Sequence, residues 1–222
     1  MKYGMMLAIA LLAGHAAVAQ IAGTRVPGGC DVPVSKRSAE TGCYLLATES
    51  LESLPAGEVF WHLYAYPTRA AAEAARKDAS GTVVESLGKI WLFALAGSSW
   101  RPMAGERVAV IGPLPVEAAK MYTARYMEAV FLPNKAMQTA VHQHSGPEAW
   151  YVVSGAQCLR TPDDVLVIRA GKGGFVRQGP SMLLTSIGTE TRRAVLLVLH
   201  DASQPWMTVT SDWTPTAQCP ES

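Results

Sequence analysis

Three side chains within one short segment could hold a metal ion. His142-Gln143-His144 is followed by Ser145-Gly146-Pro147 and then by Glu148. On a strand, residues two apart face the same side, so the two imidazoles would project together. The Ser-Gly-Pro turn would reverse the chain and bring Glu148 back towards the same point. Two imidazoles and a carboxylate suit a divalent first-row metal and leave positions open for water, substrate or dioxygen. A structural histidine pair is the alternative for an isolated His-x-His. Gln138 shares the strand parity of the histidines and should face inward, as a hydrogen bonder or at a rim; Trp150 shares that of Glu148 and is expected on the pocket wall, with ordinary core packing as the alternative.

These residues need a β scaffold, and the surrounding sequence supplies one. From Ile111 onwards short β-rich runs alternate with turns, among them Tyr122–Phe131, Gln138–His144, Glu148–Val153, Met182–Ile187 and Arg193–His200. About eight such runs without a helical period predict a sandwich or barrel. Gly112-Pro113-Leu114-Pro115 reads as the boundary of this half.

The spacing His-x-His-x3-Glu-x6-Gly, formed by His142, His144, Glu148 and Gly155, resembles the first signature motif of the cupin superfamily. The resemblance spans about residues 120–200. It implies a mainly β fold, a cupin-type double-stranded β-helix (jelly roll) with its ligand site inside, here carrying an N-terminal α+β region. It also implies one divalent transition metal (Fe, Mn, Ni, Cu or Zn) on His142, His144 and Glu148. A small-molecule ligand, and pairing of barrel edges into a homodimer, are further implications. The second family motif is degraded: Arg177 stands at the usual proline, and Met182 at the usual fourth ligand. A thioether is a poor ligand for hard divalent ions, so Met182 reads as apolar pocket lining, with copper(I) ligation as the weaker alternative. The resemblance thus favours a metal-dependent oxygenase or isomerase, with Glu148 or a metal-bound water moving protons. A metal-free, non-catalytic binding or sensing module is the alternative.

Other candidates are less pointed. Tyr126 and Glu128 share a strand face, and Glu128 is a general base only if buried. His62 and His200 would reach the site only through tertiary contacts.

The N-terminal half has a different texture. Lys2, an apolar run from Met5 to Val18, and Ala17-Val18-Ala19 form a leader peptide over residues 1–19. Residues 20–112 read as an α+β region: strand Val59–Tyr66, a helix from Arg69 to Ala79 capped by Thr68, then strands Thr82–Leu87 and Ile90–Ala96. Residues 113–222 are the barrel with its C-terminal tail. The four cysteines, Cys30, Cys43, Cys158 and Cys219, suit disulfides in an exported protein; of three possible pairings, one tying down a terminal segment is favoured. Residues 17% charged with a formal net charge of +1 argue against a nucleic-acid partner. A periplasmic or secreted location is expected, with no membrane contact once the leader is removed.

Overall fold

The computed structural model describes residue 26 and residues 29–76, 80–134 and 136–220. The leader peptide expected at 1–19 lies outside them. Among the described residues, no helix is long and apolar enough to cross a membrane.

The C-terminal half is a jelly roll. In chain order its strands are β6 (Tyr122–Phe131), β7 (His142–His144), β8 (Glu148–Ser154), β9 (Ala156–Arg160), β10 (Val165–Arg169), β11 (Gly173–Val176), β12 (Leu183–Ile187) and β13 (Arg192–Asp201). One wall has the order β6-β13-β8-β11, and the facing wall runs β10-β9-β12. β7 joins that second wall loosely, through bridges Gln138↔Thr185 and His142↔Met182 to the β12 region. A last strand, β14 (Met207–Val209), pairs with β7 from outside. This interleaving of two Greek keys is the double-sheet jelly-roll arrangement.

The N-terminal half contributes to both sides of the first wall. β1 (Gly42–Leu51) pairs with β6, extending the wall to five strands. The remaining strands, β2 (Val59–Tyr66), β3 (Ser80–Ser86), β4 (Lys89–Ala96) and β5 (Glu106–Leu114), form a separate sheet in the order β3-β4-β2-β5. That sheet lies against the outer face of the barrel wall. Trp61, Trp91 and Phe93 from one side meet Tyr126, Ala149, Val195 and Leu197 from the other. Phe93 and Tyr126 stack at 5.5 Å across the junction. The short helix α1 (Arg69–Ala75) covers the far face, with Ala72 against Tyr64, Val83 and Leu92. Thr68 caps it, its hydroxyl accepting from the Ala71 amide at 3.2 Å.

Burial on both faces explains the texture of β13. Ala194 to Leu199 is continuously apolar because odd positions meet the N-terminal sheet and even positions the barrel interior. Two disulfides close the structure, Cys30–Cys43 and Cys158–Cys219, and each ties a terminal segment to the barrel.

Three sequence expectations are corrected. Gly112-Pro113 is not a linker: it lies inside β5, an edge strand, where a residue without an amide hydrogen is tolerated. A cut at residue 113 would therefore divide β5 and remove β1 from the barrel wall. The strand expected over 138–144 is regular only at His142–His144. α1 ends at Ala75, and residues 77–79 lie outside the described part.

Candidate metal centre

His142 and His144 sit on β7 with their side chains buried, while Gln143 between them is less so. Glu148 opens β8, on the opposite wall, paired with Val176 and Val198. The group therefore bridges the two sheets of the barrel. The turn between them lies flat against β13. Leu199 donates its amide to Pro147 O at 3.0 Å, and a Cβ on Gly146 would come within 1.9 Å of the Leu199 carbonyl oxygen. Glycine at 146 is a steric requirement for Glu148 to return beside the histidines.

The ligand atoms of His142, His144 and Glu148 all lie within 4.8 Å of one another. His144 Nε2 is 3.5 Å from Glu148 Oε2. The two rings are edge-to-face at 4.8 Å. His142 Nδ1 is 2.9 Å from Ala140 O, and His144 Nδ1 is 2.8 Å from Trp206 O. A carbonyl can only accept, so both Nδ1 atoms carry the proton and both Nε2 lone pairs point at the shared space. That is the tautomer a metal needs, and a small inward movement would bring the three atoms to coordination distance of about 2.0–2.2 Å.

Burial, then the neighbouring His144, holds the His142 imidazole below its ordinary value. Burial pushes the Glu148 carboxyl up, but the neighbouring His144, His142 and Arg192 outweigh it, and the group lies below the usual carboxylate range. At neutral pH the site thus holds a neutral His142 and an ionised Glu148, the states in which they ligate.

The site opens on a cavity of about 910 Å3. Gln138 is among its lining residues. Trp150 and Met182 are fully buried in the apolar cluster with Met127, Leu159 and Leu196, and are not among the cavity's lining residues. Strand parity fixes the face of a residue and not its depth, and these two lie where the barrel is filled. Met182 is opposite His142, exchanging both backbone hydrogen bonds with it at 2.8 and 3.0 Å.

Glu128 is buried, yet it faces away from the barrel interior. It pairs with Arg37 and accepts from Ser86 Oγ at 2.7 Å. His62 belongs to the N-terminal sheet, its Nε2 3.0 Å from Gly97 O, and His200 Nδ1 is 3.0 Å from Asp201 O. Among the described residues, neither joins the His-His-Glu group.

Two participants escaped the sequence reading. Trp206, which precedes β14, stacks on His144 at 5.5 Å and carries the Arg125 guanidinium over its ring at 4.6 Å. Arg192 is fully buried and lines the same cavity. Burial pulls its guanidinium down to about 10, with the Glu148 charge acting the other way. The signal for it was present: Arg192 shares the inward parity of Ala194, Leu196 and Val198, whereas Arg193 points out.

Burial also depresses His62 and His200. Lowered histidines are neutral when folded and bind protons more readily when unfolded. Stability should therefore be full above the unfolded histidine value, about 6.5, and fall as pH drops below it. Thermal melts of metal-free protein between about pH 7.5 and 5 check this; a flat profile contradicts it.

Strand order and the convergence of three side chains define a double-stranded β-helix (jelly-roll) barrel with a His-His-Glu group. No family model matches the sequence, and no curated protein matches it. Solved structures do align with it. A cupin-like protein from Thermotoga maritima is 12% identical over 39% of this chain and 64% of its own, at a TM-score of 0.35. A double-stranded β-helix protein from Klebsiella pneumoniae is 18% identical over 45% of this chain and 82% of its own, also at 0.35. A cupin 2 conserved barrel domain protein from Salinispora arenicola is 18% identical over 41% of this chain and 72% of its own, at 0.32.

Proposed function

We propose that this is an exported protein whose barrel binds a small organic molecule beside one divalent first-row metal held by His142, His144 and Glu148. The observation that carries this reading is the pair of Nδ1 contacts to backbone carbonyls, which leaves two Nε2 lone pairs and a carboxylate converging within 4.8 Å. When bound, the metal would polarise an oxygen of the ligand. The protein does the rest. The backbone carbonyls of Ala140 and Trp206 fix the imidazoles, and Trp206 shields one face of His144 from water. Glu148, ionised and close to His144, can ligate or accept a proton. Such a site suits isomerisation or oxygen-dependent cleavage of a small substrate. Two disulfides among the described residues support an oxidising compartment.

Met182 opposite His142 favours a second reading, a binding or sensing module without metal, because the register offers no fourth protein ligand. Metal analysis of untagged protein separates the two. One tightly held transition metal per chain, restored by cobalt(II) after chelation with a d–d absorption band, supports the first. Protein that is metal-free as purified and gives no cobalt band sinks it.

A further inference from the structure

The barrel interior contains buried donors that find no hydrogen-bond partner among the described residues. Arg192, at the start of β13, is fully buried and lines the cavity shared with the His-His-Glu group. Its Nε donates to Gln157 Oε1 at 2.8 Å. Arginine has no acceptor, so the Gln157 amide must present its oxygen, which turns Nε2 away. Among the described residues, Arg192 Nη1, Arg192 Nη2 and Gln157 Nε2 have no hydrogen-bond partner. Gln157 is itself fully buried and shares the inward parity of Leu159.

A buried arginine normally faces a carboxylate, because an uncompensated charge in a low-dielectric interior is strongly unfavourable. Here no acidic side chain among the described residues forms an ion pair with it. Glu148 acts on it only as a more distant charge. The Phe131 ring, 5.1 Å away, packs beside the guanidinium and supplies no acceptor lone pair. Gly155 belongs to the same arrangement. Its φ is +69°, and a Cβ there would come within 2.9 Å of the Arg192 backbone, so the β8–β9 turn is built to press against this residue. Water could accept from the three donors, yet it leaves the positive charge unbalanced.

We propose that Arg192 anchors a carboxylate group of the barrel's ligand, with Nη1 and Nη2 donating in parallel to its two oxygens. Gln157, which is not itself among the lining residues, holds the guanidinium in place through its Oε1. The substrate class is then a small organic acid, held by its carboxylate at Arg192 while the rest of the molecule extends through the cavity towards His142 and His144. The inference rests on the barrel being a small-molecule site, but not on a metal being bound.

The test uses the full mature chain, metal-free and cobalt-loaded, titrated by calorimetry with acetate, butyrate, benzoate and succinate. Each acid is compared with its neutral amide, and inorganic phosphate forms a separate arm. At least one acid should bind about tenfold or more tightly than its amide, the difference expected when a charge-assisted pair is lost. Arg192→Met should reduce that acid to the level of its amide while cobalt binding persists. Gln157→Glu, which places a carboxylate beside Arg192, should do the same and guards against a folding defect in the first variant. Equal binding of acids and amides, no binding by any of the four acids, or undiminished acid binding in either variant overturns the proposal. Phosphate binding that exceeds every carboxylate and is lost in Arg192→Met also overturns it, in favour of a tetrahedral anion. Failure of cobalt to bind while acids still discriminate removes the metal and leaves the carboxylate anchor standing.

Discussion

Replacing either imidazole should all but abolish metal binding. In His142→Ala or His144→Ala, cobalt(II) affinity is expected to fall by well over about a hundredfold, since loss of a mere outer partner of a ligand already costs 10–100-fold. Among the described residues only three protein ligands come together, and Met182 offers no substitute for a hard divalent ion. Glu148→Gln keeps the shape but removes the charge, and should lie between wild type and the histidine variants. The fold should survive, because all three side chains line a cavity and none fills the apolar core. A second readout guards that claim. His142 is depressed by burial, so its removal takes away one group that disfavours the folded state in acid. Metal-free His142→Ala should therefore lose less stability than wild type between about pH 7 and 5. Cobalt titration and pH-dependent melts of the same preparations decide both points. Unchanged cobalt affinity in both histidine variants would remove the metal centre altogether.

How much of this was legible in the sequence depends on the range of the forces involved. The His142, His144 and Glu148 grouping follows from strand parity and one turn, both local properties, and the structure brings the three together as their spacing implies. The jelly roll follows from the rhythm of strands and turns. Arg192 was readable by the same parity and was overlooked as an ordinary charge beside Arg193. What stayed hidden was tertiary. Nothing local in Gly42–Leu51 says that it will complete a barrel wall formed by residues 80 positions later. The burial of Glu128 needed Arg37 and Ser86 to arrive from two different segments. Trp150 and Met182 face inward as parity requires, but whether an inward side chain meets ligand or core depends on how other strands fill the barrel. Trp206 sits just before a three-residue strand, β14, that is too short to be recognised by pattern.

That same C-terminal strand gives the second large effect, on stability. Cys158 and Cys219 are 61 residues apart and both are buried, with Ala156 and Ile187 around them. Closing a loop of that length restricts the unfolded chain by about 4 kcal/mol in the chain-entropy treatment, against about 3 kcal/mol for the 13-residue separation of Cys30 and Cys43. Cys158→Ala/Cys219→Ala should therefore lower Tm by roughly 10 °C, at about 2–4 °C per kcal/mol for a chain of this size. The energetic gap between the two disulfides is small, so the site distinguishes them better. The tail ending at Cys219 leads out of β14, which pairs with the histidine strand, and the carbonyl of Trp206 just before it receives the His144 Nδ1 proton. Thr210 N also donates to Val141 O at 3.1 Å. Freeing the tail should loosen the strand that sets the His144 tautomer, so cobalt affinity falls along with Tm. Cys30→Ala/Cys43→Ala instead frees the segment around Cys30 that lines the cavity, and should alter access to it while His144 stays fixed. Melting curves and cobalt titrations of the two double variants, run side by side, test the division. A Cys158→Ala/Cys219→Ala protein with wild-type Tm would mean that the tail is held by β14 pairing and not by the covalent bond.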